Sequence, residues 1–225
     1  SDYSQIELRV FAHMSNEKNL IDAFNNDLDI HAKTASDIFN VEIKDVTKDM
    51  RRSAKAVNFG ILYGISGFGL SEDLGINVSE AKRFIDKYLE TFPGIKNYTN
   101  SLILDAYKNG YVKTLFNRKR VIDELNNKNY IIRSSGERMA LNTPIQGTAA
   151  DILKLAMIEI DKQLDLHNMN TKMILQVHDE LVFDVPKNEV EEFIPILRDI
   201  MENIYKLSVP LKVDIEYGDT WYSAK

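Results

Sequence analysis

Met173-Ile174-Leu175-Gln176-Val177-His178-Asp179-Glu180-Leu181-Val182-Phe183-Asp184-Val185 reads as two apolar strands, Met173 to Val177 and Leu181 to Val185, joined by the polar trio His178-Asp179-Glu180. A turn at a hairpin tip sets its acidic side chains at the end of a sheet. Outward from this hairpin, Asn188 to Tyr205 follows Pro186 as an amphipathic helix, and Val209 to Tyr217 reads as a last strand. On the other side, Glu137 to His167 is a long helical stretch in which Pro144 predicts a bend or break.

The first half is helical. Asp2 closes a short strand, and Ile6 to Met14, Glu17 to Phe24 and His31 to Phe39 follow as helices. Thr47 is a plausible N-cap for a helix reaching Tyr63. Val78 to Phe92 and Ile95 to Lys108 are separated by Pro93-Gly94. Tyr111 to Leu115 and Lys119 to Ile122 form a hairpin around Phe116-Asn117-Arg118. Helices grouped with a small antiparallel sheet make an α+β fold. The helical block looks inserted into a sheet-bearing domain, with expected boundaries at 1–14, 15–136 and 137–225.

The chain has 225 residues, 44% hydrophobic and 28% charged, which is ordinary for a globular protein. No apolar run is long enough to suggest a membrane span, and no basic-then-apolar leader is present, so no membrane partner is expected. Cysteine is absent, which excludes a thiolate metal site and a disulfide framework and fits a reducing, cytoplasmic setting. The net charge of −6 argues against a surface coated with phosphate-binding groups. The cations are concentrated instead in Lys48 to Lys55 and Lys113 to Arg120. Such islands can hold a polyanion in a cleft, weakly and with marked salt dependence.

Three patterns carry chemistry. Arg51, Lys55, Phe59 and Tyr63 are spaced by four, and successive positions drift only about 40° around a helix, so they share one stripe. Two cations suit phosphates, and two rings beyond them suit a sugar and a base. An ordinary amphipathic helix with core rings and solvated cations explains the spacing too, although Val57, Ile61 and Leu62 offer a separate apolar face. Asp179 and Glu180 are adjacent carboxylates whose repulsion a divalent cation would relieve, and hard oxygen ligands suit magnesium. Taken alone, this turn reads more readily as a solvated acidic loop, as does Asp2. Arg138, Asn142 and Gln146, again spaced by four, are donors able to reach sugars or base edges in a minor groove. A plain polar helix face is the ordinary explanation, and Pro144 puts a straight stripe in question.

Asp2-Tyr3-Ser4-Gln5-Ile6-Glu7-Leu8-Arg9 resembles motif A of the A-family DNA polymerases, the group that includes bacterial DNA polymerase I. Arg51 to Gly64 resembles motif B, and Val177-His178-Asp179-Glu180-Leu181 resembles motif C. Asn142 to Lys154 is similar to the segment preceding motif C. The resemblance covers essentially the whole chain in the family's order. It implies that helical fingers are inserted in a palm truncated at its N-terminus, and that the protein is a DNA-dependent DNA polymerase adding deoxynucleotides to a primer 3′-hydroxyl. Asp2 and Asp179, with the Tyr3 backbone carbonyl, would hold two magnesium ions, with Glu180 as an accessory acid. Arg51, Lys55 and His31 would hold the triphosphate, Phe59 the sugar side and Tyr63 the nascent base pair. Gln5 and Glu7 would lie on the nucleotide side, Glu7 as a steric gate against a ribose 2′-hydroxyl. Arg138, Asn142, Gln146 and His178 would face the primer-template.

The same resemblance implies a thumb and an exonuclease-like region of the parent chain, a role in replication or repair, and a nucleoid-associated location if the source is bacterial. Asn117 stands where the family often has Gly, and Asn is the next-best residue for a left-handed backbone. The fragment by itself is expected to have little or no activity. A non-catalytic nucleotide- or nucleic-acid-binding fragment, or an unrelated helical interaction protein with solvated acidic turns, are the alternatives.

Overall fold

In the computed structural model, which describes residues 1–224, the acidic turn is shorter than expected. Strand β4 (Lys172–Val177) and strand β5 (Glu180–Asp184) are joined by His178 and Asp179 alone. Glu180 therefore belongs to β5 rather than to the turn. His178 takes φ +53°, a left-handed conformation in which His is enriched over most residues and which a two-residue hairpin favours.

The chain divides into two compact units, Leu8–Thr148 and Ser1–Glu7 with the chain from Ala149 onward. The expected boundaries lay at helix ends, at 14/15 and 136/137. The contacts divide the chain at 7/8 and 148/149, inside two helices, because a helix can begin in one core and end in another.

The smaller unit holds a four-stranded antiparallel sheet in the order β4-β5-β1-β6, where β1 is Asp2–Tyr3 and β6 is Val213–Asp214. The expected strand over Val209 to Tyr217 shrinks to those two residues of β6. Its alternation is real: Leu207, Val209, Leu211 and Val213 are all buried. The ladder is short because β1 offers two residues to pair with, and Pro210 has no N–H to donate. Tyr3 is buried, and its hydroxyl donates to the Met201 carbonyl at 2.7 Å in the helix Val190–Asn203. The Glu189 carboxylate fastens the other end of that helix. It accepts from the backbone N–H of Asn170 at 2.9 Å and of Thr171 at 3.0 Å, and from the Thr171 hydroxyl at 2.8 Å.

The larger unit is helical. It contains α1 (Ile6–Ser15, which starts in the smaller unit), α2 (Lys18–Asn25), α3 (Ile30–Phe39), α4 (Lys48–Leu62), α5 (Gly67–Leu74), α6 (Val78–Thr91) and α7 (Pro93–Asn109). Local chemistry sets the ends. Thr47 caps α4 by accepting from Met50 N–H, and Asp29 caps α3 by accepting from His31 and Ala32. Pro93 opens α7, where its missing N–H costs nothing. Helix α5 escapes the sequence reading because Gly67 and Gly69 mask it, yet Ser66 caps it through Gly69 N–H. A hairpin of β2 (Tyr111–Lys113) and β3 (Lys119–Val121) follows, with Asn117 at φ +63° as its composition anticipates. Val112 and Ile122 of this region join Ala106, Leu125 and Ala140 in one apolar cluster.

Helix α8 runs from Tyr130 to Leu166 without a break at Pro144, and it starts earlier than the expected Glu137. Proline removes one backbone bond, but the flanking turns are held by buried Ala140, Ile145, Thr148 and Ile152. The Thr148 hydroxyl donates to the Pro144 carbonyl at 2.5 Å. Among the described residues no helix is long and apolar enough to cross a membrane.

Candidate active site

Strand pairing builds an acidic cluster in the smaller unit. Asp2 stands opposite Glu180 on one side and Asp214 on the other. Directly paired residues project from the same face of a sheet, so the three carboxylates share a face while Tyr3 points to the core. Asp179 is drawn in by its carbonyl, which accepts from Tyr3 N–H at 3.4 Å. Burial pushes the Asp2 carboxyl above its ordinary value, and the charges of Asp179, Glu180 and Asp214 push it further. Glu180 Oε1 accepts a hydrogen bond of 2.7 Å from the indole N–H of Trp221.

Among the described residues no three His, Asp or Glu side chains close into a ready metal cage. The donor set nevertheless suits magnesium, which is usually held by one or two carboxylates and completed by water and substrate phosphates. Carboxylates crowded around Asp2, whose own pKa is raised, are what a divalent cation would relieve.

A second cluster lies in the larger unit, on α3 and α4. The His31 and Phe59 rings are 5.8 Å apart, and Phe59 stacks with Tyr63 at 6.3 Å and 19°. The spacing by four therefore produces a real ladder of rings. Arg51 Nε donates to Asp29 Oδ2 at 2.7 Å, and Arg51 and Lys55 are exposed beside it. That hydrogen bond and those from His31 and Ala32 hold the Asp29 carboxyl below its usual range in spite of some burial.

His31 is buried, and burial lowers its pKa to about 4; Asp29 opposes that shift, while Arg51 and Lys55 add to it. The Asn58 amide nitrogen lies 3.1 Å from His31 Nδ1. An amide N–H₂ can only donate, so Nδ1 accepts, and the proton of the neutral ring resides on Nε2. Asn58 is itself tied to the Thr34 hydroxyl at 3.2 Å. His31 is thus a neutral donor and not a third cation.

The third stripe survives because α8 is unbroken. Arg138 and Gln146 are exposed, and Asn142 is half-buried with its Oδ1 lacking a hydrogen-bond partner. Gly64, at φ +68°, lets the chain leaving α4 press on this helix: a Cβ there would lie 3.1 Å from Arg138 Cγ. The ring ladder therefore ends against the start of the donor stripe. His178 is exposed on its turn, Gln5 is exposed at φ +55°, and Glu7 is half-buried in the first turn of α1.

The structure gathers Asp2, Asp179 and Glu180 in one unit, and His31, Arg51, Lys55, Phe59 and Tyr63 in the other. Sequence reasoning missed Asp214, Trp221, Asp29 and Asn58. Asp29 was findable as the N-cap before His31, and Asn58 as the one polar residue on the buried side of α4. Asp214 depends on strand register, which no local pattern shows.

The family model for DNA polymerase family A matches residues 1–223. The chain belongs to that family. It is 52% identical to DNA polymerase I of Bacillus caldotenax and 54% identical to DNA polymerase I of Bacillus subtilis (strain 168), over 100% of this chain and 26% of each relative. The chain thus spans about a quarter of the length of these curated relatives. Among solved structures, it is similar to the polymerase domain of Pol1 from M. smegmatis in complex with DNA primer-template and dNTP. That match has a TM-score of 0.94 and 43% identity, and it covers 99% of this chain and 39% of the other.

Proposed function

We propose that this chain is the nucleotidyl-transfer part of a DNA-dependent DNA polymerase that extends a primer 3′-hydroxyl with deoxynucleotides. In this reading the sheet-bearing unit is palm and the helical unit is fingers. The observation that carries it is the pairing of Asp2 with Glu180 and the tie between Tyr3 N–H and the Asp179 carbonyl. These contacts bring two remote acidic segments into one cluster.

The reaction is an in-line displacement. The primer oxygen forms a bond to the α-phosphorus, the bond to the bridging oxygen breaks, and pyrophosphate leaves. Two magnesium ions, held by Asp2, Asp179 and the Tyr3 carbonyl, would favour the ionised primer oxygen and neutralise the leaving oxygens. Arg51 and Lys55 supply fixed positive charge to the triphosphate. Before substrate arrives, Asp29 keeps the Arg51 guanidinium in place. His31, neutral and oriented by Asn58, donates its Nε2–H to a phosphate oxygen without adding charge. Phe59 packs against the sugar and Tyr63 borders the new base pair. Glu7 crowds the 2′ position, with Gln5 nearby on the nucleotide side. Arg138, Asn142, Gln146 and His178 contact primer-template.

The similar polymerase domain bound to DNA primer-template and dNTP supports the polymerase reading. The chain by itself, at about a quarter of its relatives' length and net −6, is expected to extend primers poorly at ordinary salt. The test is templated primer extension by the full-length parent with magnesium and all four deoxynucleotides. Extension that depends on Asp179 supports the reading, and normal extension by Asp179→Ala refutes it.

A further inference from the structure

Strand β1 lies between β5 and β6, and both neighbours run on past it. On one side β5 continues to Asp184, and on the other the chain continues from β6 through Ile215, Glu216 and Tyr217. Between them is an open cavity of about 1090 Å³. Its walls include Phe183 of β5, Ile215 and Tyr217 after β6, and Phe193 and Ile194 of helix α9 (Val190–Asn203).

The sheet ladder reaches this cavity in register. Leu181 N–H donates to the Ser1 carbonyl at 2.8 Å, and the Ser1 nitrogen donates to the Leu181 carbonyl at 2.9 Å. Toward β6, Ser4 N–H donates to the Lys212 carbonyl at 2.8 Å, and Asp2 stands opposite Asp214. Successive residues of β1 thus turn their backbone bonds to β5 and to β6 by turns. Carried further, the same register sets a first residue before Ser1 opposite Glu216 and a second opposite Phe183. Among the described residues the Glu216 backbone makes no hydrogen bond. Phe183, two positions beyond Leu181 on β5, turns its N–H and C=O the same way as Leu181, into the cavity. The faces are fixed as well. Tyr3 bonds Met201 of α9, and the Phe183 ring meets the Phe193 ring of α9 at 5.0 Å and 65°. A side chain opposite Phe183 therefore enters apolar surroundings, and one opposite Glu216 shares the face of Asp2.

We propose that this cavity is a strand-acceptor slot, which takes an extended peptide segment as a direct continuation of β1, with an apolar side chain opposite Phe183 and a polar one opposite Glu216. Main-chain bonds to both walls supply the affinity, and the alternation of side chains supplies the selectivity, as in other strand-addition sites. An occupant lengthens the ladder on both sides of the strand that carries Asp2, and so steadies the carboxylate cluster.

The test tethers the probe to the 225-residue chain. Two extended chains carry the tetrapeptide Val-Thr-Val-Thr or Thr-Val-Thr-Val directly before Ser1. Composition and length are equal, and only the faces are exchanged. Hydrogen exchange is read at the amides of Phe183 and Glu216. Val-Thr-Val-Thr sets Val opposite Phe183 and Thr opposite Glu216, and it is expected to slow both amides by about 10-fold, the scale of one or two backbone hydrogen bonds. Thr-Val-Thr-Val is expected to leave both at the rate of the unextended chain. Equal slowing by the two extensions, slowing by the second alone, or slowing by neither overturns the inference. Slow exchange at both amides in the unextended chain that disappears as a dimer dissociates on dilution assigns the slot to a second copy, and overturns it too.

Discussion

The two units place their candidate functional side chains by different means. In the helical unit, one helix does most of the positioning: four residues spaced by four give cations and rings in a row, and α3 adds His31. In the sheet unit, the carboxylates come from segments at opposite ends of the sequence and meet only through antiparallel pairing. Helical periodicity is a local property that survives changes elsewhere in the unit. Strand register is a global one, and it either forms with the whole sheet or not at all. The helical cluster should therefore respond to substitution in graded steps, and the carboxylate cluster in an all-or-none manner.

The sharpest way to break this contrast is to remove a carboxylate. In the full-length parent, Asp2→Ala or Asp179→Ala should lower single-turnover nucleotide addition by at least about 10³-fold, since each lost 1.36 kcal/mol is tenfold in rate. Primer-template affinity, read by fluorescence anisotropy, should change little, because in the proposed reading cations and amides, not carboxylates, hold the DNA. Lys55→Ala should cost less, about 10- to 100-fold in kcat/KM, the worth of one charge-assisted contact. Equal losses at Asp179 and Lys55 would erase the proposed difference between the units.

A smaller effect tests the support beneath the ring ladder. Asn58→Leu leaves the His31 Nδ1 and the Thr34 hydroxyl without a partner in a buried site. It should destabilise the chain by about 1–3 kcal/mol in urea unfolding. It should also weaken deoxynucleotide binding, because the His31 tautomer is no longer fixed. A stability loss with unaltered nucleotide affinity would limit Asn58 to a structural role.

The smallest effect concerns pH. The His31 pKa falls to about 4 on folding, from an ordinary value of 6.5. The folded state thus prefers the neutral ring. The stability this contributes is fully present above pH 6.5 and is lost as pH falls from there through about 4. A histidine NMR titration of His31 should show its midpoint near 4, and His31→Gln should flatten the stability profile across that window. A midpoint near 6.5 would show a solvated ring and overturn the buried, neutral state of His31.

The helical half of the fold is legible in the sequence because caps and periodicity are written within a few residues. Thr47, Pro93 and the 51-55-59-63 spacing each act where they stand. Helix α8 misleads at Pro144 because the packing of its neighbours outweighs one missing hydrogen bond. The sheet is harder to read, since β1 and β6 have two residues each and carry almost no strand signal. The motif resemblance singles out Asp2 and Asp179 as candidates, but the arrival of Asp214 beside them and of Trp221 on Glu180 depends on non-local pairing and on a turn near the end of the chain. Asp29 was within reach as a cap. Its second bond, to Arg51, needed the α3–α4 geometry.

Tyr3 gives the sheet a way to reject its own errors. Adjacent residues on a strand face opposite sides, so a slip of β1 by one position would drive Asp2 into a slot where Tyr3 is 2% exposed and would turn Tyr3 out to water. The slipped form would bury a carboxylate without a partner and lose the bond from the Tyr3 hydroxyl to Met201. A molecule that has folded at all has therefore already put Asp2 on the acidic face beside Glu180 and Asp214, and a slipped register is removed as a misfolded protein before its carboxylate cluster can form wrongly.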